Sequence, residues 1–376
     1  MSKTRIISGD SHVFEPPDLW QTRMQKQYRE RAPHVERHQD GDWWYCDGFR
    51  VAGVFGPAQL GMRFKTPEKL STVGYLDQVR PGGWVPAEHI KDMAIDGVDE
   101  VVLYPTPGIG LYRVPDTDLL TDICRTYNDW VAEFCKVYPN QTKGIAMLNA
   151  DDTEVAVLEM QRCAKLGLIG ATIPIKPLPD RTYDSPVYDP LWAAAQDLNM
   201  PLTIHSATVR MLPPPPGVKA VPLPSRGSRG TNAQDSLMRD ALSDIIFAKV
   251  FERFPKLQVG AVELELGWIP FFIRRMDHGY TQSGSRSGAT GKFKDGMLPS
   301  DFIHRNTFFT FMEDDLGIRM RDIIGVKNLV WGNDYPHTES TWPESQRILG
   351  ETLAGCSDEE KALVTGGNVA RIYRLN

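Results

Sequence analysis

Along the chain, short apolar runs alternate with longer stretches in which apolar residues recur at three- and four-residue spacing. The runs are Arg5–Gly9 (RIISG), Glu100–Tyr104 (EVVLY), Lys143–Leu148 (KGIAML), Gly170–Ile175 (GATIPI), Leu202–His205 (LTIH), Gln258–Glu263 (QVGAVE), Thr307–Phe311 (TFFTF) and Asn328–Gly332 (NLVWG). Most are continuous in apolar residues rather than alternating, the signature of parallel strands covered on both faces. The stretches between them have helical periodicity. Pro86–Gly97 carries Ile90, Met93 and Ala94, and Asp116–Tyr138 carries Leu119, Leu120, Ile123, Tyr127, Trp130, Val131 and Phe134. Asp152–Gly167 ends on a glycine stop. Pro190–Leu198, Asp240–Phe254, Leu316–Ile324, Pro343–Leu353 and Asp358–Tyr373 complete the set. Eight strands with helices between them predict a (β/α)8 barrel over residues 1–376. A doubly wound open sheet is the alternative.

Two segments break this rhythm. Residues 14–85 form a long insertion after the first strand, and its piece His34–Gly53 predicts a β-hairpin turning at Asp40–Gly41. Residues 208–234, with consecutive prolines at 213–216, follow the fifth strand. Excursions after barrel strands lie over the catalytic face, so both are expected as lid or substrate-binding elements.

Composition narrows the class. Hydrophobic residues make up 41% and charged residues 24%, ordinary for a globular protein. A net charge of −6 argues against nucleic acid or an anionic membrane as the main partner. No run is long enough to span a bilayer, and MSKTRIISGDSH has no apolar leader segment. Cys46, Cys124, Cys135, Cys163 and Cys356 are scattered and odd in number, which predicts reduced thiols in a cytoplasmic protein.

Ligand-type side chains gather at the ends of three runs. The first closes on Asp10-Ser11-His12, and residues two apart on a strand share a face. The fifth closes on His205, and the eighth on Asn333-Asp334. Each is weak alone: a core histidine or a helix-capping aspartate explains any one of them. Together, carboxylates and imidazoles at the C-terminal ends of strands one, five and eight predict a divalent metal site.

The motifs GDSHVFEP, PLTIH, FERFPKLQV, WGNDYPH and GGNVARIYRL, spread over the whole chain, resemble the ACMSD-like branch of the amidohydrolase superfamily, a group of metal-dependent hydrolases and decarboxylases. The resemblance implies a barrel holding one divalent metal, commonly zinc, on Asp10, His12, His205 and Asp334. It also implies that Asp334 handles the proton of metal-bound water, and that the protein is a homodimer. Many relatives carry a histidine where this chain has Glu263. Asp10, Glu263 and Asp334 sum to −3 against +2 from one metal, an unfavourable buried excess. Glu263 is therefore expected to be a protonated general acid or base, to pair with a cation, or to serve as a further ligand if a second metal is held. Lys176, after the fourth run, is the other candidate ligand of a two-metal site. Iron and manganese are alternatives to zinc, favoured somewhat by so many carboxylates.

His337 is expected to assist catalysis, and Arg210 and Trp84 to contact a small-molecule substrate. The first expectation for the reaction is hydrolysis of a small organic acid, amide, ester or thioester by metal-activated water. The second is non-oxidative decarboxylation of an aromatic or unsaturated carboxylic acid.

Overall fold

The structure, a computed structural model, describes residues 5–211, 234–282 and 291–375. All eight expected strands form: β1 (Ile7–His12), β5 (Glu100–Tyr104), β6 (Thr142–Met147), β7 (Gly170–Lys176), β8 (Leu202–Val209), β9 (Val259–Val262), β10 (Thr307–Phe311) and β11 (Leu329–Trp331). They pair in parallel in the order β1-β5-β6-β7-β8-β9-β10-β11. The ends of this ladder meet, because Asp334 N–H donates to the Asp10 carbonyl (2.9 Å) and His12 N–H to the Tyr335 carbonyl (2.6 Å). That closure separates a (β/α)8 barrel from the open doubly wound sheet. Strand residues such as Val101, Val102, Ile145, Ala146, Ile173 and Ile204 are fully buried, as strands covered on both faces must be.

The helices follow the periodicity, with local corrections. Thr117–Val137 starts at the Asp116 cap, whose side chain accepts from the N–H groups of Asp118 and Leu119. Thr153–Leu166 is capped by Asp152 and stops at Gly167 in the left-handed region (φ 94°). The helix expected over 240–254 divides into Gln234–Phe247 and Val250–Arg253, with Lys249 between them at φ 62°. The last helix is interrupted by a turn of π-helix at Leu363–Gly367.

The expected hairpin forms, with β2 (His34–His38) and β3 (Gly41–Cys46) pairing antiparallel up to His38 opposite Gly41, and β4 (Phe49–Gly53) extends it to a three-stranded antiparallel sheet. The second turn, Asp47–Gly48 between β3 and β4, has positive φ at both residues (51° and 77°), which matches the right-handed twist of the strands it joins. Trp20 and Trp44 are completely buried and meet edge to face, so they fill a core that the insertion shares with the barrel. Trp20 Nε1 donates to the Ile123 carbonyl (3.1 Å), and Arg63 forks onto Glu313 (2.9 and 3.0 Å) while donating to the Ser340 carbonyl. The insertion is thus tied to the helix Thr117–Val137 and to the segments that follow β10 and β11. Of the expected loop over 208–234, residues 212–233 lie outside the described residues. Among those described, no helix is long and apolar enough to cross a membrane.

Candidate metal centre

β1 delivers Asp10 and His12 through an irregularity: its register with β5 shifts between Ser8 and Ser11. This is a bulge of the kind that re-aims side chains at barrel rims. β11 approaches so closely there that a Cβ on Gly332 would lie 2.4 Å from the Asp10 Cβ. Only glycine fits that position.

Asp10, His12, His205 and Asp334 are all 0–2% exposed. Asp10 Oδ1 lies 3.5 Å from His12 Nε2 and 3.7 Å from His205 Nε2, and His12 Nε2 lies 3.3 Å from Asp334 Oδ1. Four atoms, Asp10 Oδ1, His12 Nε2, His205 Nε2 and Asp334 Oδ2, are buried without a hydrogen-bond partner. Buried polar atoms rarely stay unpaired, because desolvating one costs about 1–3 kcal/mol. Asp10 Oδ1, His12 Nε2 and His205 Nε2 belong to one metal-capable group and form a cradle for a cation, with Asp334 set against it through His12.

The rings are set from behind. His12 Nδ1 meets the Pro105 carbonyl at 2.8 Å, so it carries the proton and turns the Nε2 lone pair into the cluster. His205 Nδ1 faces the Ser206 carbonyl (3.2 Å) and Glu263 Oε2 (3.3 Å), with the same result. Thr310 Oγ1 donates to Asp10 Oδ2 (3.1 Å) and accepts from Glu263 N–H (2.8 Å). Burial opposes ionisation of Asp10, but His12 and His205 outweigh it and hold its carboxyl well below the usual carboxylate range. Burial likewise works against protons on His12 and His205, yet the facing carboxylates raise both above the ordinary imidazole value. Such a cluster demands positive charge, from protons or from a metal.

Asp334 and His337 form the second half of the site. Asp334 sits at φ 53°, which turns the chain so that His337 Nδ1 reaches Asp334 Oδ1 at 2.7 Å. On the other side, His337 Nε2 lies 3.2 Å from Thr106 Oγ1, whose own proton goes to the Val13 carbonyl (2.6 Å). Both ring nitrogens thus face acceptors, so the hydrogen bonds are satisfied when both carry protons. His337 can hold a donatable proton beside the cluster.

Several expected site residues go elsewhere. Arg210 does not face a substrate: its side chain is buried, doubly bonded to Asp151, and donates to the Tyr112 and Val114 carbonyls (2.5 and 2.6 Å). Lys176 is exposed at the end of β7. Trp84 is half-buried against Phe14 (6.1 Å), which follows β1. Glu263, at φ 59°, accepts from Ser206 Oγ (2.6 Å) behind His205.

Sequence reasoning missed Thr106, Ser206, Thr310 and Glu339. Thr310 carried a signal, as a polar residue inside the apolar run TFFTF. Glu339, two residues past WGNDYPH, carried none. It is exposed, and joins Glu263 and Asp334 in a three-carboxylate group.

Residues 34–375 match the amidohydrolase family model. A γ-resorcylate decarboxylase from Rhizobium radiobacter is 24% identical over 353 residues, covering 85% of this chain and 99% of the relative. The crystal structure of an amidohydrolase from Mycobacterium avium subsp. paratuberculosis superposes with a TM-score of 0.76 at 18% identity, covering 99% of this chain and 100% of the other. That of a dihydroxybenzoic acid decarboxylase from a Polaromonas strain, with bound manganese and the inhibitor 2-nitroresorcinol, gives 0.67 at 17% identity, covering 99% and 98%. The relatives matched along the chain are named decarboxylases, which overturns the first expectation of a hydrolase.

Proposed function

The chain belongs to the amidohydrolase family, and from that premise we propose that it is a metal-dependent non-oxidative decarboxylase of a hydroxylated aromatic carboxylic acid. One observation carries the reading: the unpaired, buried ligand atoms of Asp10, His12 and His205 converge beside a histidine whose two ring nitrogens both face acceptors.

Asp10, His12, His205 and Asp334 would hold one divalent ion. Two carboxylates and two imidazoles suit manganese, iron or zinc, and manganese is the first to test because a relative's structure contains it. Once bound, the ion would supply a Lewis-acid anchor for the substrate's carboxylate and adjacent oxygen.

The remaining work falls to protein groups. The bond between ring carbon and carboxylate breaks, CO2 departs, and the electron pair left on the ring takes a proton. His337 donates that proton, and Asp334 Oδ1, 2.7 Å from its Nδ1, orients the ring and stabilises its cationic form. Solvent then reprotonates His337. Glu263 acts as a positioning residue: with Ser206 it holds His205 Nδ1–H, so that Nε2 points into the cradle.

The test is CO2 release from 2,6-dihydroxybenzoate and from 5-carboxyvanillate by protein loaded with Mn2+, beside chelated protein, in D2O. The expected result is metal-dependent CO2 with one deuterium placed on the ring carbon that lost it. Metal-loaded protein that releases no CO2 from hydroxybenzoates, yet hydrolyses esters or amides, would refute the reading.

A further inference from the structure

The helix Pro86–Asp96 buries a face made of His89, Asp92, Met93 and Asp96. Two carboxylates lie on that face, 2% and 1% exposed, where apolar residues would be cheaper to desolvate. Asp96 is also the last residue of the helix, the end at which the macrodipole disfavours negative charge. Buried acids in such places call for a reason. Both reach the same target. Tyr335 Oη donates to Asp92 Oδ2 (2.7 Å), and Asn333 Nδ2 donates to Asp96 Oδ2 (3.0 Å). Asn333 and Tyr335 are the residues immediately before and after Asp334. One helix, through two aspartates a turn apart, thus grips the chain on both sides of Asp334.

Each grip is backed by further contacts. Arg80 Nε donates to Asp92 Oδ2 (3.0 Å), and the His89 ring meets that of Tyr335 edge to face at 5.1 Å. Gly82 leaves the room this needs, because a Cβ there would lie 2.2 Å from Tyr335 Oη and 2.6 Å from Asp92 Oδ2. Asp96 also accepts from the Ser345 N–H (3.1 Å) and hydroxyl (2.6 Å). From the barrel side, Asn333 N–H donates to Ser8 Oγ (3.0 Å). Between the grips Asp334 sits at φ 53°. A non-glycine residue holds that conformation only where its surroundings over-determine it. The same turn brings Asp334 Oδ1 to His337 Nδ1 (2.7 Å) and leaves Oδ2 buried without a partner.

We propose that Asp92 and Asp96 are positioning residues of the metal centre. By holding Tyr335 and Asn333 they fix the Asp334 carboxylate, and through it the affinity for the ion and the placement of His337. The effect on turnover rests on the decarboxylase reading; the effect on metal affinity does not. Asp96 takes three donors, Asn333 Nδ2, Ser345 N–H and Ser345 Oγ. An amide at position 96 sets its own NH2 against an N–H of Asn333 or of Ser345, whichever way it is turned. Exchanging the two groups, Asp96→Asn with Asn333→Asp, restores a donor facing an acceptor across this contact and conserves net charge.

The test measures Mn2+ affinity of the full-length protein by equilibrium dialysis and the visible spectrum of its Co2+-loaded form. Asp96→Asn and Tyr335→Phe should each weaken Mn2+ binding by about 10–100-fold and alter the Co2+ bands. The exchanged pair should recover most of the loss seen in Asp96→Asn. Ser345→Ala cuts another contact of Asp96 and spares Asn333, so it should lower Tm and leave Mn2+ affinity unchanged. At saturating Mn2+, CO2 release by Asp96→Asn should show a lower kcat with KM unchanged, because His337 is displaced. Tyr335→Phe keeps its ring against His89 and decides the matter if Asp96→Asn does not fold. Wild type that binds no Mn2+, unchanged affinity and spectrum in the folded variants, no recovery in the exchanged pair, or an equal loss in Ser345→Ala would each overturn the proposal. The expected metal effects, with no CO2 release from any acid by wild type, would instead refute the decarboxylase reading alone.

Discussion

Consider the replacement Arg210→Met, which keeps most of the volume and removes the charge. Arg210 was the sequence's candidate for holding substrate, and the structure makes it a buried strut. Its Nε lies 2.9 and 3.1 Å from the two Asp151 oxygens, and its Nη2 lies 2.5 Å from one of them. Its Nη1 serves two main-chain carbonyls. Asp151 is itself only 8% exposed, and its other recorded partner is the Thr117 hydroxyl (2.8 Å). Removing the guanidinium strands a carboxylate in the interior, a loss of about 3–5 kcal/mol. The two carbonyls add to that wherever water cannot replace the donor. At roughly 2 °C per kcal/mol for a chain of this size, Tm should fall by about 6–10 °C.

The assay is urea unfolding of wild type, Arg210→Met, Asp151→Leu and the double variant, arranged as a double-mutant cycle. The double variant should recover much of the loss, because a buried ion pair replaced by apolar residues of similar volume is often close to neutral. Recovery requires coupling of at least about 2 kcal/mol between the two sites. A variant that loses under 1 kcal/mol, yet shows a large rise in KM, would refute the strut and return Arg210 to the substrate. Additive losses in the cycle would refute the ion pair as the source of the effect.

Two further outcomes follow from the geometry. His337→Asn keeps the polar contacts but cannot deliver the proton, so decarboxylation should fall by about 10^2–10^4 while metal content stays constant; elemental analysis beside single-turnover kinetics checks this, and a loss of under tenfold would exclude His337 as the acid. His89 is wholly buried against Tyr335 and Phe134, and burial pushes its pKa down to about 4. Its folded value lies below the unfolded one, so it contributes stability that is present above about pH 6.5 and lost as pH falls toward 4. The swing is roughly 3 kcal/mol, and His89→Phe should flatten that part of the stability profile; an unchanged slope in urea titrations at pH 4.5–7 would contradict the assignment.

The barrel was legible because its strands are buried on both faces. Runs such as EVVLY and TFFTF therefore stand out without alternation, and their bounds agree with β5 and β10 to the residue. The candidate ligands were legible for a related reason: a histidine or aspartate that closes such a run sits at the barrel rim, where His205 and Asp334 are found. The hairpin over 34–53 was under-read, since its Asp-Gly turn at 47–48 adds a third strand. The helix over 240–254 was over-read, because Lys249 adopts a positive φ that no periodicity announces.

Side-chain partnership is where sequence reasoning stopped. Arg210, after the fifth run, looked like a substrate contact. Only the approach of Asp151, 59 residues away, decides that Arg210 is consumed. Glu263 looked like an acid or base until Ser206 and His205 were seen to engage it. The sequence by itself determined the barrel, the family resemblance and which residue types gather at the rim, because burial and strand period are local properties written along the chain. Which of those groups stay unpaired, and are therefore free to hold an ion or a proton, was decided by the tertiary structure alone, because hydrogen bonds and ion pairs depend on distances across the barrel that no linear spacing encodes.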